Sequence, residues 1–426
     1  MFNQSGLSLD QAPPISVVFR FFFLGACFGI IAGISLFFYQ TDIFDASSTA
    51  ALTFTHLLTL GVMLSFMFAS LFQMLPVIAG VALKSPIKKA NLLLYPFTLG
   101  IVTLLVAFNL TQAWLYTLAA ILLGFAILTS TLPMLVNLQK LDNHTSSSRG
   151  MFFALSTLFL LVLFAFYLLL SISGSIDGSY YSEVKTAHYS FGLFGWIALL
   201  IISISFQVIE MFYVTPAYPK HMSQYLPMTL FTLLLTSTLV SFFFPAIWIL
   251  SQGLIIGLLG YYALLTLKRL TQRKRPLTDA TVWFWRMGLT SLLLSLWFIL
   301  MQYFTDLTVL KPLSYIFFAS FALSIVFAMF YKIVPFLTWF HLNSQGYFTA
   351  PMMHEVIHPK TAKKHLYIHS ATIVAFILSL FVNVFIFLAG VLMMLSFSWM
   401  AYQIIHAWRL YNDTQKNGEK FDMGNM

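Results

Sequence analysis

Long apolar runs recur along the whole chain, and they constrain its fold more than any other feature. A helix rises 1.5 Å per residue, so roughly 20 apolar residues are needed to cross the hydrocarbon core of a bilayer. Segments of this kind are centred near residues 28, 65, 100, 126, 162, 200, 234, 257, 292, 325, 376 and 398. The breaks near 109–112, 243–246 and 382–387 are short. The sequence therefore predicts an all-α polytopic membrane protein with about 12 spans, forming a single transmembrane domain over residues 1–426.

Composition excludes a soluble domain and narrows the classes of partner. The chain is 60% hydrophobic and 8% charged, whereas a soluble domain carries about 25% charged residues. The net charge of +9 comes from basic residues in short loops between apolar runs, where they orient helices, so we expect the lipid bilayer and no nucleic acid as partner. The single cysteine, Cys27, lies in an apolar run and excludes an intrachain disulfide. We identify no cleaved signal peptide.

The loops alternate in charge, which predicts the topology. Acidic residues collect in one set of loops, at Asp42, Asp45, Asp177, Glu183 and Asp306. The other set is basic and comprises 84–89, 140–149, 220–221, 268–275, 360–364 and the C-terminal end with Arg409, Lys416 and Lys420. By the positive-inside rule both termini are cytoplasmic, and residues 411–426 form a cytoplasmic tail.

Three segments share one plan, which predicts an internal repeat. Each is a long apolar helix that ends in a polar residue near a proline or a carboxylate. One register aligns Gln73, Gln207 and Lys332, and with them Gly61, Gly195 and Ser320. The first spacing is 207 − 73 = 134 residues and the second is 332 − 207 = 125 residues. The pattern favours a threefold repeat of four-helix units, roughly 15–140, 149–270 and 280–410.

These segments resemble a known family. Twelve helices with both ends inside, a three-by-four repeat and the segments 56–77, 188–212 and 331–339 look like subunit I of the heme–copper oxidases. They look more closely like an oxidase-like family of small bacterial membrane proteins, and more loosely like the heme- and copper-containing NnrS proteins. The resemblance covers most of the chain in topology but is specific in motif only at those three segments. It implies the oxidase subunit I arrangement and heme b as the cofactor. The family resemblance carried by these segments also implies a bacterial inner membrane.

The family's ligands carry over only in part. In the oxidases a histidine on helix two holds the low-spin heme, and His56 matches it in helix and in depth. A histidine on helix six belongs to the copper site, and His188 is its looser counterpart. The segment 313–337 on helix ten and the segment 226–244 on helix seven contain no histidine. The resemblance therefore implies that copper is absent and that oxygen is not reduced.

A heme b protein is the leading functional hypothesis, with His56 and His188 as axial ligands of the heme iron. A neutral imidazole in a membrane is a good ligand for heme iron. Such a protein binds or senses a diatomic gas such as nitric oxide, or passes electrons to a redox partner, without acting as an oxygen-reducing enzyme. The alternative is a transporter or chaperone for heme, copper or another small ligand. A third hypothesis is a scaffold in which each histidine only bonds a neighbouring helix.

Two further patterns remain open. Glu210 and Lys332 stand at the inner ends of helices six and ten, where they form an ion pair across the inner mouth or a proton entry point; snorkelling also explains Lys332. The stretch His354–His358 matches the H-E-x-x-H zinc-protease pattern, but it lies in a loop between two prolines. A weaker hypothesis is that histidines on the inner side bind a metal ion together. The candidates are His341, His354, His358, His365, His369 and His406.

Overall fold

The computed structural model describes residues 12–81, 83–244, 246–274 and 279–420. These residues contain 13 helices and no strand. We number the helices α1 Ile15–Tyr39, α2 Thr49–Ala79, α3 Pro86–Leu110, α4 Ala113–Gln139, α5 Ser146–Ile172, α6 Tyr181–Tyr213, α7 Lys220–Ser241, α8 Ile247–Thr271, α9 Ala280–Met301, α10 Leu310–Ser344, α11 Met353–Val356, α12 Pro359–Ser379 and α13 Phe385–Asn417.

The structure confirms an all-helical polytopic membrane protein. Ten of the described helices are long and apolar enough to cross a membrane. The two other long helices, α7 with 22 residues and α12 with 21 residues, begin with basic residues and are less apolar. Every predicted segment centre lies within one of these twelve long helices, and each predicted break separates two of them.

The described chain divides into two compact units. Of the described residues, unit 1 contains residue 12, those between 73 and 274, and 289–314, and unit 2 contains 13–72, 279–288 and 315–420. The boundaries pass through α2, α9 and α10 and do not coincide with the three predicted repeats. The predicted tail at 411–426 begins inside α13, which continues to Asn417, and its residues 421–426 lie outside the described residues.

Unit 2 is built around α1. This helix packs along α13 and against the middle of α2, and α12 packs on α13. Three glycines on α1 at four-residue spacing, Gly25, Gly29 and Gly33, allow these approaches. A Cβ on Gly25 would lie 2.7 Å from the ring of Phe66 on α2, and one on Gly33 would lie 2.9 Å from the carbonyl oxygen of Gly390 on α13. Small residues at this spacing are typical of close helix pairs in membranes.

Unit 1 is a chain of neighbouring helices. α3 packs on α4, α4 on α5 and α5 on α6, and α7 contacts both α5 and α8. Gly195 on α6 faces Thr157 on α5, where a Cβ would lie 2.9 Å from Cγ2 of the threonine. The hydroxyl of Thr157 donates to the carbonyl of Ala154 in its own helix. The small residue and the self-bonded hydroxyl together permit the close contact.

Helices α2 and α6 each contain a π-helical segment. The segments are Leu57–Leu64 in α2 and Phe191–Ala198 in α6. Their starts lie 191 − 57 = 134 residues apart, which is the spacing that the sequence register gives for the first two repeats. In each segment the fifth residue is a glycine, Gly61 or Gly195, pressed against the preceding long helix of its unit. π segments are rare and concentrate at functional sites.

A substitution at Gly61 tests how tightly α2 is packed. A Cβ there would lie 2.8 Å from Cβ of Phe28 on α1, so we expect Gly61→Ala to lower the free energy of unfolding in mixed micelles by about 1–3 kcal/mol. The matched control is Gly257→Ala on α8, which has open space around it and should gain about 0.5–1 kcal/mol from better helix propensity. Equal effects at the two glycines would contradict the packing account.

Candidate functional site

His56 lies in unit 2 at the point where α2 changes from α- to π-helical geometry. It is the last residue of the α-helical first part, Thr49–His56, and the π segment begins at Leu57. Its ring is half-buried, and its Nδ1 lies 2.8 Å from the carbonyl oxygen of Leu52, one turn earlier. Because a carbonyl only accepts, Nδ1 carries the proton and the lone pair of the neutral ring is on Nε2. Metal-binding histidines are commonly oriented in this way through their other ring nitrogen.

His188 lies in unit 1, three residues before the π segment of α6. It belongs to the α-helical first part, Tyr181–Ser190. Its ring is half-buried, with the Nδ1 atom shielded from solvent. The residue at the register position of His56 is Ser190, whose hydroxyl donates to the carbonyl of Thr186 at 2.7 Å. His188 therefore lies two residues before the position that the 134-residue register gives for a counterpart of His56.

Lys332 forms an ion pair with Asp279, a partner that the sequence patterns did not indicate. Its Nζ lies 2.6 Å from Oδ2 of Asp279 within unit 2. The other carboxylate oxygen of Asp279 accepts from the Thr281 hydroxyl at 2.6 Å and from the Val282 amide at 3.2 Å. Asp279 therefore caps the N-terminus of α9 and neutralises Lys332 at the same time. A Thr-Asp pair directly before an apolar run was the available signal, since aspartate is a preferred N-cap residue.

Glu210 lies in unit 1 at the C-terminal end of α6. Its Oε1 accepts from the backbone amide of Tyr218, 2.8 Å away. Tyr218 is buried and its hydroxyl donates to Thr266 on α8 at 3.1 Å. Burial raises the pKa of the Tyr218 hydroxyl well above its ordinary value, and the charge of Glu210 raises it further, while the hydrogen bonds with Thr266 and Ser205 lower it. Glu210 thus fixes the turn between α6 and α7, and its predicted pairing with Lys332 stays a prediction.

The zinc-protease pattern does not form. The helix at this place, Met353–Val356, ends before Ile357, which is extended at φ −136° and ψ 111°. Glu355 accepts from the amide of Met352, and His358 caps α12 by accepting from the amide of Lys360. The two imidazoles therefore do not share a helical face. Among the described residues, no group of three or more histidine, cysteine, aspartate or glutamate side chains is arranged to hold a metal ion. The prediction that the six inner-side histidines bind a metal ion together is therefore wrong.

Two of those histidines lie instead in the core of unit 2. His365 and His369 are one turn apart on α12 and are 0% and 3% exposed. His365 bonds through both nitrogens, to Tyr331 Oη on α10 at 2.9 Å and to Ser396 Oγ on α13 at 2.6 Å. His369 Nε2 lies 3.0 Å from Ser324 Oγ on α10. We call these five side chains the histidine network.

Aromatic rings enclose the histidine network. The ring centroid of Phe327 lies 4.5 Å from that of His365 and 4.9 Å from that of His369. Phe284 on α9 contacts both imidazoles from 5.8 and 6.0 Å. A neutral imidazole accepts at one nitrogen and donates at the other, so the Tyr331–His365–Ser396 chain is satisfied in either proton order. The four-residue spacing of the two histidines was the available signal, because it places them on one helical face.

No protein-family model and no curated protein matches this chain. The resemblance to oxidase subunit I therefore rests on the residues and the helix order given above and remains a prediction.

Removing His365 should destabilise unit 2. His365→Leu leaves the buried hydroxyls of Tyr331 and Ser396 without the imidazole, which costs about 1–3 kcal/mol in the free energy of unfolding. The triple variant His365→Leu, Tyr331→Phe, Ser396→Ala removes the stranded hydroxyls and should recover part of that loss. His406→Leu, at an exposed position on α13, is the control. A His365→Leu protein as stable as the wild type would show that the network contributes nothing.

The ion pair of Asp279 predicts a pH dependence. Burial raises the pKa of this carboxyl, but the Lys332 ammonium and the bonds from Lys332, Thr281 and Val282 outweigh it, so the pKa lies below its ordinary value of 3.8. A lowered folded pKa stabilises the protein above the unfolded pKa, and this stabilisation is lost as the pH falls through the folded pKa. Since the Asp279 side chain is 40% exposed, we expect about 0.5–1 kcal/mol.

The test compares the wild type with Asp279→Asn, which keeps an N-cap residue and removes the charge. The difference in unfolding free energy should be present at neutral pH, begin to fall below about pH 4 and vanish below the folded pKa. Asp306→Asn in an exposed loop should show no such difference. A difference that persists at acid pH would mean that the charge of Asp279 is not the cause.

Proposed function

We propose that this protein is a heme b-binding protein of the bacterial inner membrane, with the fold of oxidase subunit I. The orientation of His56 carries the proposal, since its Nδ1–H donates to the Leu52 carbonyl and leaves the lone pair on Nε2, the tautomer that binds iron. His188 is the second proposed ligand. Both histidines stand next to the π segments of their helices, where helical geometry is distorted.

Heme b would supply one-electron chemistry or a binding place for a diatomic gas such as nitric oxide. His56 holds the cofactor, and its bond to Leu52 keeps the ring from turning away. The proposal does not include oxygen reduction or copper, because the segments 226–244 and 313–337 contain no histidine. The histidine network does not replace them, since both nitrogens of His365 are engaged within the protein.

The threefold repeat belongs to the same proposal. Its support is the equal spacing of the two π segments and of Gly61 and Gly195 within them. The third predicted repeat, roughly 280–410, differs in detail. There the small residue is on α9, where a Cβ on Gly288 would lie 3.1 Å from the carbonyl oxygen of Phe321 on α10. The proposed topology, with about 12 spans and both termini in the cytoplasm, is supported by the basic loops.

A reduced-minus-oxidised visible spectrum of the detergent-purified protein tests the proposal, with iron and copper measured on the same sample. We expect a b-type heme band, iron near one equivalent and no copper. His56→Ala should reduce heme retention by at least the ~10–100-fold that loss of an outer-shell partner costs a metal site. His406→Ala, on an exposed face, should retain its heme. A colourless, iron-free protein from heme-replete cells would overturn the proposal.

A transporter or chaperone for heme, copper or another small ligand is the second candidate. The histidine network favours it, because ionisable side chains that face the interior of a bundle commonly mark a path for protons or ligands. This candidate predicts a colourless protein whose transport in liposomes depends on His365, Glu210 or Lys332. The spectrum separates the two candidates, since a transporter purifies without stoichiometric iron.

A further inference from the structure

We infer that the start of α3 and the end of α4 form a binding site for an anionic phospholipid headgroup. A cavity of about 470 Å³ lies between them in unit 1. Its described lining consists of Lys84, Lys89, Leu132, Pro133, Val136 and Asn137. The site is independent of the proposed heme function.

The charge of the cavity selects an anion. Two ammonium groups and one amide line it, and none of the six lining side chains is acidic. Lys88 and Lys140 add two exposed cations at the same helix ends, while the sequence from residue 46 to residue 141 contains no aspartate or glutamate. The N-terminus of α3, a 25-residue helix that begins at Pro86, adds the positive end of its dipole.

The apolar part of the lining selects a lipid rather than a free anion. Leu132 is 43% exposed and Val136 is 46% exposed, and both line the same cavity as the two lysines. A membrane helix exposes such side chains to acyl chains. A basic pocket at a helix end, continuous with an apolar face, fits a phosphate group whose acyl chains run down the helix. A free phosphate would not use Leu132 or Val136.

Neither cavity lysine takes part in the Lys332–Asp279 ion pair, which lies in unit 2. Lys84 is exposed and Lys89 is half-buried. In the topology proposed above, the cavity faces the cytoplasmic leaflet, where anionic lipids meet basic loops.

Native mass spectrometry of the full-length protein with added phosphatidylglycerol or phosphatidylcholine tests the inference. We expect phosphatidylglycerol to be retained over phosphatidylcholine. Each lysine near an anionic surface contributes a factor of about five to binding, so Lys84→Ala with Lys89→Ala should weaken retention roughly 30-fold. Inorganic phosphate should not compete, which distinguishes a lipid site from a phosphate site.

Two further variants make the result specific to the cavity. The control, Lys363→Ala with Lys364→Ala, removes the same charge from exposed positions at the start of α12 and should leave retention unchanged. Val136→Trp keeps both cavity lysines and fills the space below them, so it should also reduce retention. Equal loss in the α12 control, or full retention by both cavity variants after they are shown to be folded, would overturn the inference.

Discussion

Polar groups buried in this bundle must find their partners within the chain, and the rest of the structure depends on that constraint. A hydrogen-bonding group left unpaired in hydrocarbon costs several kcal/mol. Many of the described buried hydroxyls meet the constraint locally, as Ser203 does by donating to the carbonyl of Leu199 one turn earlier. Such self-bonded hydroxyls let helices approach closely without a stranded donor. The histidine network is different, because its imidazoles pair between helices and thereby fix how α10, α12 and α13 meet.

The same constraint separates two classes of histidine. His365 engages both nitrogens with hydroxyls of neighbouring helices, so binding a metal would break at least one of those bonds. His56 is held through Nδ1 by its own backbone, one turn earlier in the same helix. A site that must keep its geometry while its cofactor enters needs a ligand that is held in place. This support is why we propose the cofactor at His56, whereas the histidine network joins α10, α12 and α13.

Much of the architecture follows from the sequence because length and hydropathy are local properties. The centres of the twelve long helices and the breaks near residues 111 and 383 were predictable from apolar runs alone. The π segments were not predictable, since a π turn only lengthens each hydrogen-bonded turn by one residue and leaves no compositional mark. The 134-residue spacing taken from Gln73 and Gln207 nevertheless also relates their bounds.

The partners of the polar side chains were not predictable from the sequence. The structure pairs Lys332 with Asp279 at 2.6 Å, whereas the sequence suggested Glu210, which also stands near a helix end and whose pairing with Lys332 stays a prediction. The difference is that Asp279 is already fixed by capping α9, so its second oxygen is available at little additional entropic cost. His365 and His369 were expected among inner-side histidines that could bind a metal ion, whereas the structure places both in α12, which begins at Pro359, where the missing amide hydrogen of proline costs nothing. In both cases the decisive residue is one that starts a helix. Prediction of this protein's polar contacts therefore requires the helix starts to be located before the charges are paired.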